Sequence, residues 1–160
     1  MGSYLVVAID ATGGAQLMAE VRRRIARAPS SFFVLVPVPE SESQRHGILD
    51  GMVAGEAGPM VVQADLPRRA DQEREVLERQ SRGRLELLTR EIRAAGGDAD
   101  GDLGDPDPLK AIEREVRTHQ FDEIILSTPP SGLSKWIRRD LPHRVERKFE
   151  LPVQTLTPRG

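Results

Sequence analysis

A chain of 160 residues with 38% hydrophobic content suits one domain with a true core and is too short for two full ones. Its 23 basic and 25 acidic residues leave a formal charge of -2, which excludes a global basic field that would draw the chain to nucleic acid or anionic lipid. The absence of cysteine excludes a disulfide framework, a thiolate metal site and a thiol nucleophile.

The opening MGSYLVVAID lacks the basic region of a secretory signal, and no run approaches the ~18 apolar residues of a membrane span. A soluble, cytoplasmic protein with no membrane partner is expected. Tyr4 to Ile9 is a continuous apolar run rich in β-branched residues, the pattern of a strand covered on both faces. Asp10, Ala11, Thr12, Gly13 and Gly14 supply a turn. A helix follows, in which Leu17 or Met18, Val21 and Ile25 recur at helical spacing and Arg22, Arg23 and Arg24 fall mostly on the outer side. Ser31 to Val38 reads as a second strand, with Pro37 near an edge or bulge. Two strands joined by a helix imply a parallel βαβ unit.

From Pro39 the pattern dissolves, and residues 39–68 are expected to form a long mobile loop. A helix is expected from about Arg69 to Ala95, with Leu77, Ser81, Leu85, Leu88, Ile92 and Ala95 along one stripe. Asp98 to Asp105 is a short polar edge strand or a loop. Its alternating aspartates do not make a calcium loop, because Leu103 and Leu109 stand where glycine and a bidentate glutamate are required. Asp107 before Pro108 is a strong helix start, and that helix is expected to bury Leu109, Ile112 and Val116, with Glu113 and Arg117 as a supporting pair.

Phe121 to Thr128 is another buried parallel strand, opening into Pro129, Pro130, Ser131 and Gly132. Pro142 interrupts the helical spacing that follows, so two short helices are expected, the second starting at Leu141 or Pro142 with Asp140 as its cap and free N–H groups near His143. Leu151 to Leu156 is a final strand. The whole is expected to form one α/β domain: an open, doubly wound, five-stranded parallel sheet, Rossmann-like, with helices on both faces. Ligands of such sheets sit beyond the strands' carboxyl ends, where strand order reverses.

Three features resemble the universal stress protein family. They are Val6-Val7-Ala8-Ile9-Asp10; Gly104-Asp105-Pro106 with Ala111-Ile112 ahead of Phe121-Asp122-Glu123-Ile124-Ile125; and Pro152-Val153 entering the last strand. In the family's ATP-binding members the fourth strand leads into a glycine, two residues, a glycine, nine residues, then glycine and serine or threonine. Here the corresponding positions are Pro129, Gly132, nine intervening residues, Pro142 and His143. Proline has neither the N–H nor the φ freedom that lets a glycine backbone approach phosphate. The resemblance therefore implies a divergent loop in which Ser127, Thr128, Ser131 and Ser134 hydroxyls, the Gly132 backbone, and the helix start at His143 and Arg144 hold an anion. It also implies that Asp10, Ala11 and Thr12 lie on the adenine and ribose side, that Val36 or Val38 lines the base pocket, and that two copies pair through the last strand. The implied cofactor is ATP or another adenine nucleotide.

Other readings of the same residues stay open. Asp10 also suits a helix cap, and Lys135, Arg138, Arg139, Arg144, Arg147 and Lys148 around Trp136 suit a solvated face better than a nucleic-acid groove. Among His46, His119 and His143 no pair has metal-ligand spacing. Gly132-Leu133-Ser134-Lys135-Trp136 is half of a nucleophile elbow and lacks its second glycine. The function expected is a non-enzymatic regulatory module binding a nucleotide or small anion. The alternatives are a homodimeric protein-interaction domain with an occluded pocket, and a weak phosphohydrolase.

Overall fold

An apolar run without polar alternation needs cover on both faces, and the central strands obtain it. The computed structural model of the chain describes residues 2–9, 14–41, 66–128 and 140–156. In chain order the elements are β1 Gly2–Ala8, α1 Gly14–Arg27, β2 Ser30–Pro37, α2 Leu66–Ala94, β3 Asp98–Gly104, α3 Pro108–Thr118, β4 Glu123–Ser127, α4 Leu141–Phe149 and β5 Val153–Leu156. The strands form one five-stranded sheet in the order β3-β2-β1-β4-β5, and every adjacent pair is parallel.

The two-residue period of the strands divides the core. Val6, Val34, Val36 and Ile125 meet Leu17, Met18 and Val21 of α1 and Leu88 and Ile92 of α2. Leu5, Val7, Leu35, Ile124 and Leu126 meet Ala111 and Ile112 of α3 and Leu141 and Val145 of α4. Burying each such side chain completely stabilises the fold by about 1.5–3 kcal/mol, so the paired layers of helices follow directly from the unbroken apolar strands.

The polar stretch after Gly97 is the edge strand of the two alternatives. Asp98, Asp100 and Asp102 pair in register with Ser31, Phe33 and Leu35, and the three carboxylates stay exposed because the two-residue period turns Ala99 and Leu103 to the core and the aspartates to the opposite face. Gly101 is required there: a Cβ would lie 2.3 Å from the Val34 carbonyl oxygen and 2.5 Å from Leu85 Cδ1.

The helix starts differ in instructive ways. Asp107 caps α3 as expected, accepting from the Leu109 N–H at 3.0 Å, and Glu113 pairs with Arg117 at 2.9 Å. Asp140 occupies the capping position of α4 but has helical angles, φ -93 and ψ -34, and its side chain makes no capping hydrogen bond. Helix α2 begins at Leu66, three residues before the expected start, with Pro67 in the first turn where its missing N–H is harmless. The remainder of the expected mobile loop, 42–65, lies outside the described residues.

Arg24 departs from the expected outer face. Its side chain is 10% exposed and bonds to Glu20 on its own helix and to Glu123 on β4. The arginine stem packs beside Tyr4, with the guanidinium carbon 4.8 Å from the ring centroid.

Candidate functional site

Strand order reverses between β1 and β4, and these two strands define the crevice. Ala8 pairs in register with Ser127, and the Ile9 N–H donates to the Ser127 carbonyl at 3.0 Å. Ile9 directly precedes Asp10, and Thr128 directly precedes Pro129. The two segments singled out in the sequence thus leave the sheet from points joined by one hydrogen bond. Asp10, Ala11, Thr12, Ser131, Gly132 and Ser134 themselves lie outside the described residues, as do His46, Lys135, Trp136, Arg138 and Arg139.

Ser127 and Thr128 are each 1% exposed. Thr128 is tied to β5: its N–H donates to the Leu156 carbonyl at 2.9 Å and its hydroxyl to the same oxygen at 3.4 Å. Both lie at the carboxyl end of β4, and both are buried there.

The two valines part company. Val36 is completely buried in the core beneath α1 and α2. Val38 is half-buried, and its N–H donates to the Gly104 carbonyl at 3.0 Å. It lines a cavity of about 430 Å³ together with Pro39, Arg74, Arg82, Leu103 and Pro106, within the range of small-molecule sites. Arg74 and Arg82 come from α2, and nothing in the sequence ties them to Val38. The register of β2 against β3, which brings Gly104 and Pro106 alongside, is the signal that locates them.

Helix α4 completes the edge. Because β5 begins beside the start of β4, with Ile124 paired to Val153, the connecting helix runs back along the sheet and its first turn lies at the carboxyl edge. The Arg144 N–H closes the first helical bond to Asp140 at 2.8 Å. The Leu141 and His143 N–H groups precede that bond, and Pro142 has none. His143 and Arg144 are exposed. Of the basic cluster, Arg144, Arg147 and Lys148 are exposed, and Lys148 reaches Glu113 at 3.3 Å, which is the behaviour of a solvated face. Among the described residues no group of histidine and carboxylate side chains is placed to hold a metal ion, and no helix is long and apolar enough to cross a membrane.

Known structures carry the same arrangement over nearly the whole chain. A hypothetical protein whose biochemical function was assigned from its structure superposes with a TM-score of 0.65 at 12% identity, covering 98% of this chain and 96% of its own. A universal stress protein family protein of Arabidopsis thaliana, with AMP bound, gives 0.55 at 14% identity over 99% of this chain and 93% of its own. The universal stress protein of Archaeoglobus fulgidus, in complex with dAMP, gives 0.53 at 13% identity over 97% and 96%.

The chain has the universal stress protein fold.

No family model matches the sequence, and no curated protein does. The universal stress protein likeness therefore rests on architecture: five parallel strands in this order, helices on both faces, and a first and fourth strand ending side by side.

Proposed function

We propose that this universal-stress-protein-like chain is a single regulatory domain, without enzymatic activity, that binds an adenine nucleotide across the carboxyl edge of its sheet. The observation that carries the reading is the Ile9 to Ser127 hydrogen bond at the strand reversal, which sets side by side the strand ends that precede Asp10 and the loop after Thr128. Val38 and its cavity offer a surface for the base. Asp10, Ala11 and Thr12 would hold the ribose side. The first turn of α4 with His143 and Arg144, together with Ser131, Gly132 and Ser134, would hold the phosphate, a helix start being favourable to anions. The Arabidopsis and Archaeoglobus proteins of the same fold, with AMP and dAMP, support this choice of ligand.

Pairing of two copies through β5 is part of the same reading, because that strand is an edge of the sheet formed by the described residues. A variant with Thr155→Pro, which removes an N–H from the edge, should then lose association through β5, its mass by light scattering falling to half that of the native chain.

The decisive measurement is titration of purified protein with AMP, cyclic AMP and ATP, read by calorimetry and thermal unfolding. Binding to the folded state raises stability by about 2.7 kcal/mol at a hundredfold excess over Kd. Lys substitution of Asp10 should abolish the effect. A flat response to all three nucleotides at millimolar concentration would leave the occluded interaction domain, which the 1% exposure of Ser127 and Thr128 and the missing N–H of Pro142 favour. Turnover of ATP by pure protein, lost in Asp10→Ala or Ser131→Ala, would instead reveal a phosphohydrolase.

A further inference from the structure

The long helix α2 turns Leu85, Leu88 and Ile92 to the core, yet its opposite side is not uniformly charged. Val76, Gln80, Gly83, Leu87 and Ala94 recur at alternating spacings of four, three, four and seven residues, and all are exposed. Val76 at 48% and Leu87 at 52% are the exposed large hydrophobics among the described residues. Gly83 sits mid-helix, where glycine costs about 1 kcal/mol relative to alanine, and a Cβ there would meet nothing within 4 Å. Its own fold gives no reason for that glycine; close approach of another helix does.

We propose that two copies of this chain associate back to back through α2, antiparallel, about a twofold axis between Ser81 and Arg82. The stripe is self-complementary in shape. Val76 stands in the wall of a cavity of about 520 Å³ that Glu40 and Ser41 close on the other side, and Leu87 projects eleven residues further along the same face. The twofold axis seats Leu87 of each copy beside Val76 of the other, with Gly83 facing Gln80 at the centre. Charge selects the same direction. Antiparallel packing puts Arg79 of each copy beside Glu86 of the other, whereas parallel packing would set Arg79 against Arg84 and Glu86 against Glu91. This surface is separate from β5, so the two modes of pairing can be tested independently.

Sedimentation velocity of the full chain across the micromolar range should show association that Leu87→Arg lowers by half in mass. Arg79→Glu should lower it as well, and Arg79→Glu with Glu86→Arg together should restore it, circular dichroism remaining native throughout. Because the chain has no cysteine, a single engineered thiol reports the geometry. Gln80→Cys lies about 4.5 Å along the axis from its mate and Gln72→Cys about 28 Å, at 1.5 Å rise per residue. Oxidation should give a disulfide-linked dimer with the first and none with the second. A native chain that stays monomeric, a mass unchanged by Leu87→Arg, or equal crosslinking at both positions would each overturn the assignment.

Discussion

Arg24 on α1 grips Glu123 at the start of β4, its Nη2 donating to Oε1 at 2.9 Å. The same guanidinium donates through Nε to Glu20 at 2.9 Å and reaches Gln154 on β5. One side chain thereby ties a helix to both strands on the far side of β1. Its hydrogen bond to Glu123 is the chief reason its pKa lies above the ordinary arginine value, followed by burial acting the other way and by Glu20.

Removing that cation leaves Glu20, which is 5% exposed, with Arg23 as its remaining partner at 2.9 Å and takes the guanidinium from Glu123. Arg24→Ala should destabilise the fold by about 2 kcal/mol, the scale for lost hydrogen bonds to charged groups where the buried carboxylate keeps one cation. Arg24→Lys should recover little, because an ammonium cannot bond to three acceptors in a plane. Urea midpoints at unchanged m-value check this, and a loss below about 1 kcal/mol would show the network to be incidental.

Glu115 on α3 is buried 3.5 Å from His119 Nδ1. Loss of hydration pushes its carboxyl above the ordinary carboxylate range; His119 draws it down, Asp102 adds to the rise, and Arg114 opposes it. The folded chain therefore keeps this proton to higher pH than the unfolded chain, so stability from this group falls as pH rises through the interval between the two values. Glu115→Gln does not titrate. Its stability relative to the native chain should increase as pH is raised from about 4, and a difference that is flat or slopes the other way would contradict the assignment.

Gly101 admits no side chain without moving the β2 backbone or Leu85. Gly101→Ala should cost about 2 kcal/mol, the usual scale of forced overpacking. The loosening should be local, with faster amide exchange in β3 and in the half of α2 that covers it.

Glu150 ends α4 in a left-handed conformation, with φ 54 and ψ 35, which an L residue adopts at a cost of about 1 kcal/mol. Glu150→Gly relieves that strain against a smaller entropic loss. The thermal midpoint should rise slightly, since a gain of ~0.5 kcal/mol moves that of a domain this size by roughly 1–2 °C.

The strands were legible where burial on both faces leaves no polar alternation, as in Leu5 to Val7 and Ile124 to Leu126. The start of α3 was legible because Asp107 and Pro108 act within one turn. Two kinds of feature were not. Asp98 to Gly104 alternates in two-residue steps, but only Ala99 and Leu103 are apolar, too little to fix a strand until β2 offers it a partner. Arg24 looked like one of three outward arginines, and only the placement of Glu123 across the sheet turns it inward. In the candidate site, local sequence marked Val38 and Ser127 equally, yet the Leu156 carbonyl and the α2 arginines beside them belong to segments far along the chain.

The row of aspartates on β3 also bears on how molecules can join. A β3 strand from a second copy set beside it would bring its own carboxylates to about 5 Å from Asp98, Asp100 and Asp102, so pairing of β3 with β3 is opposed by repulsion. A dimer paired through β5 consequently keeps an acidic rim at either extremity. Two such rims repel each other, so dimers of this kind are kept from joining rim to rim.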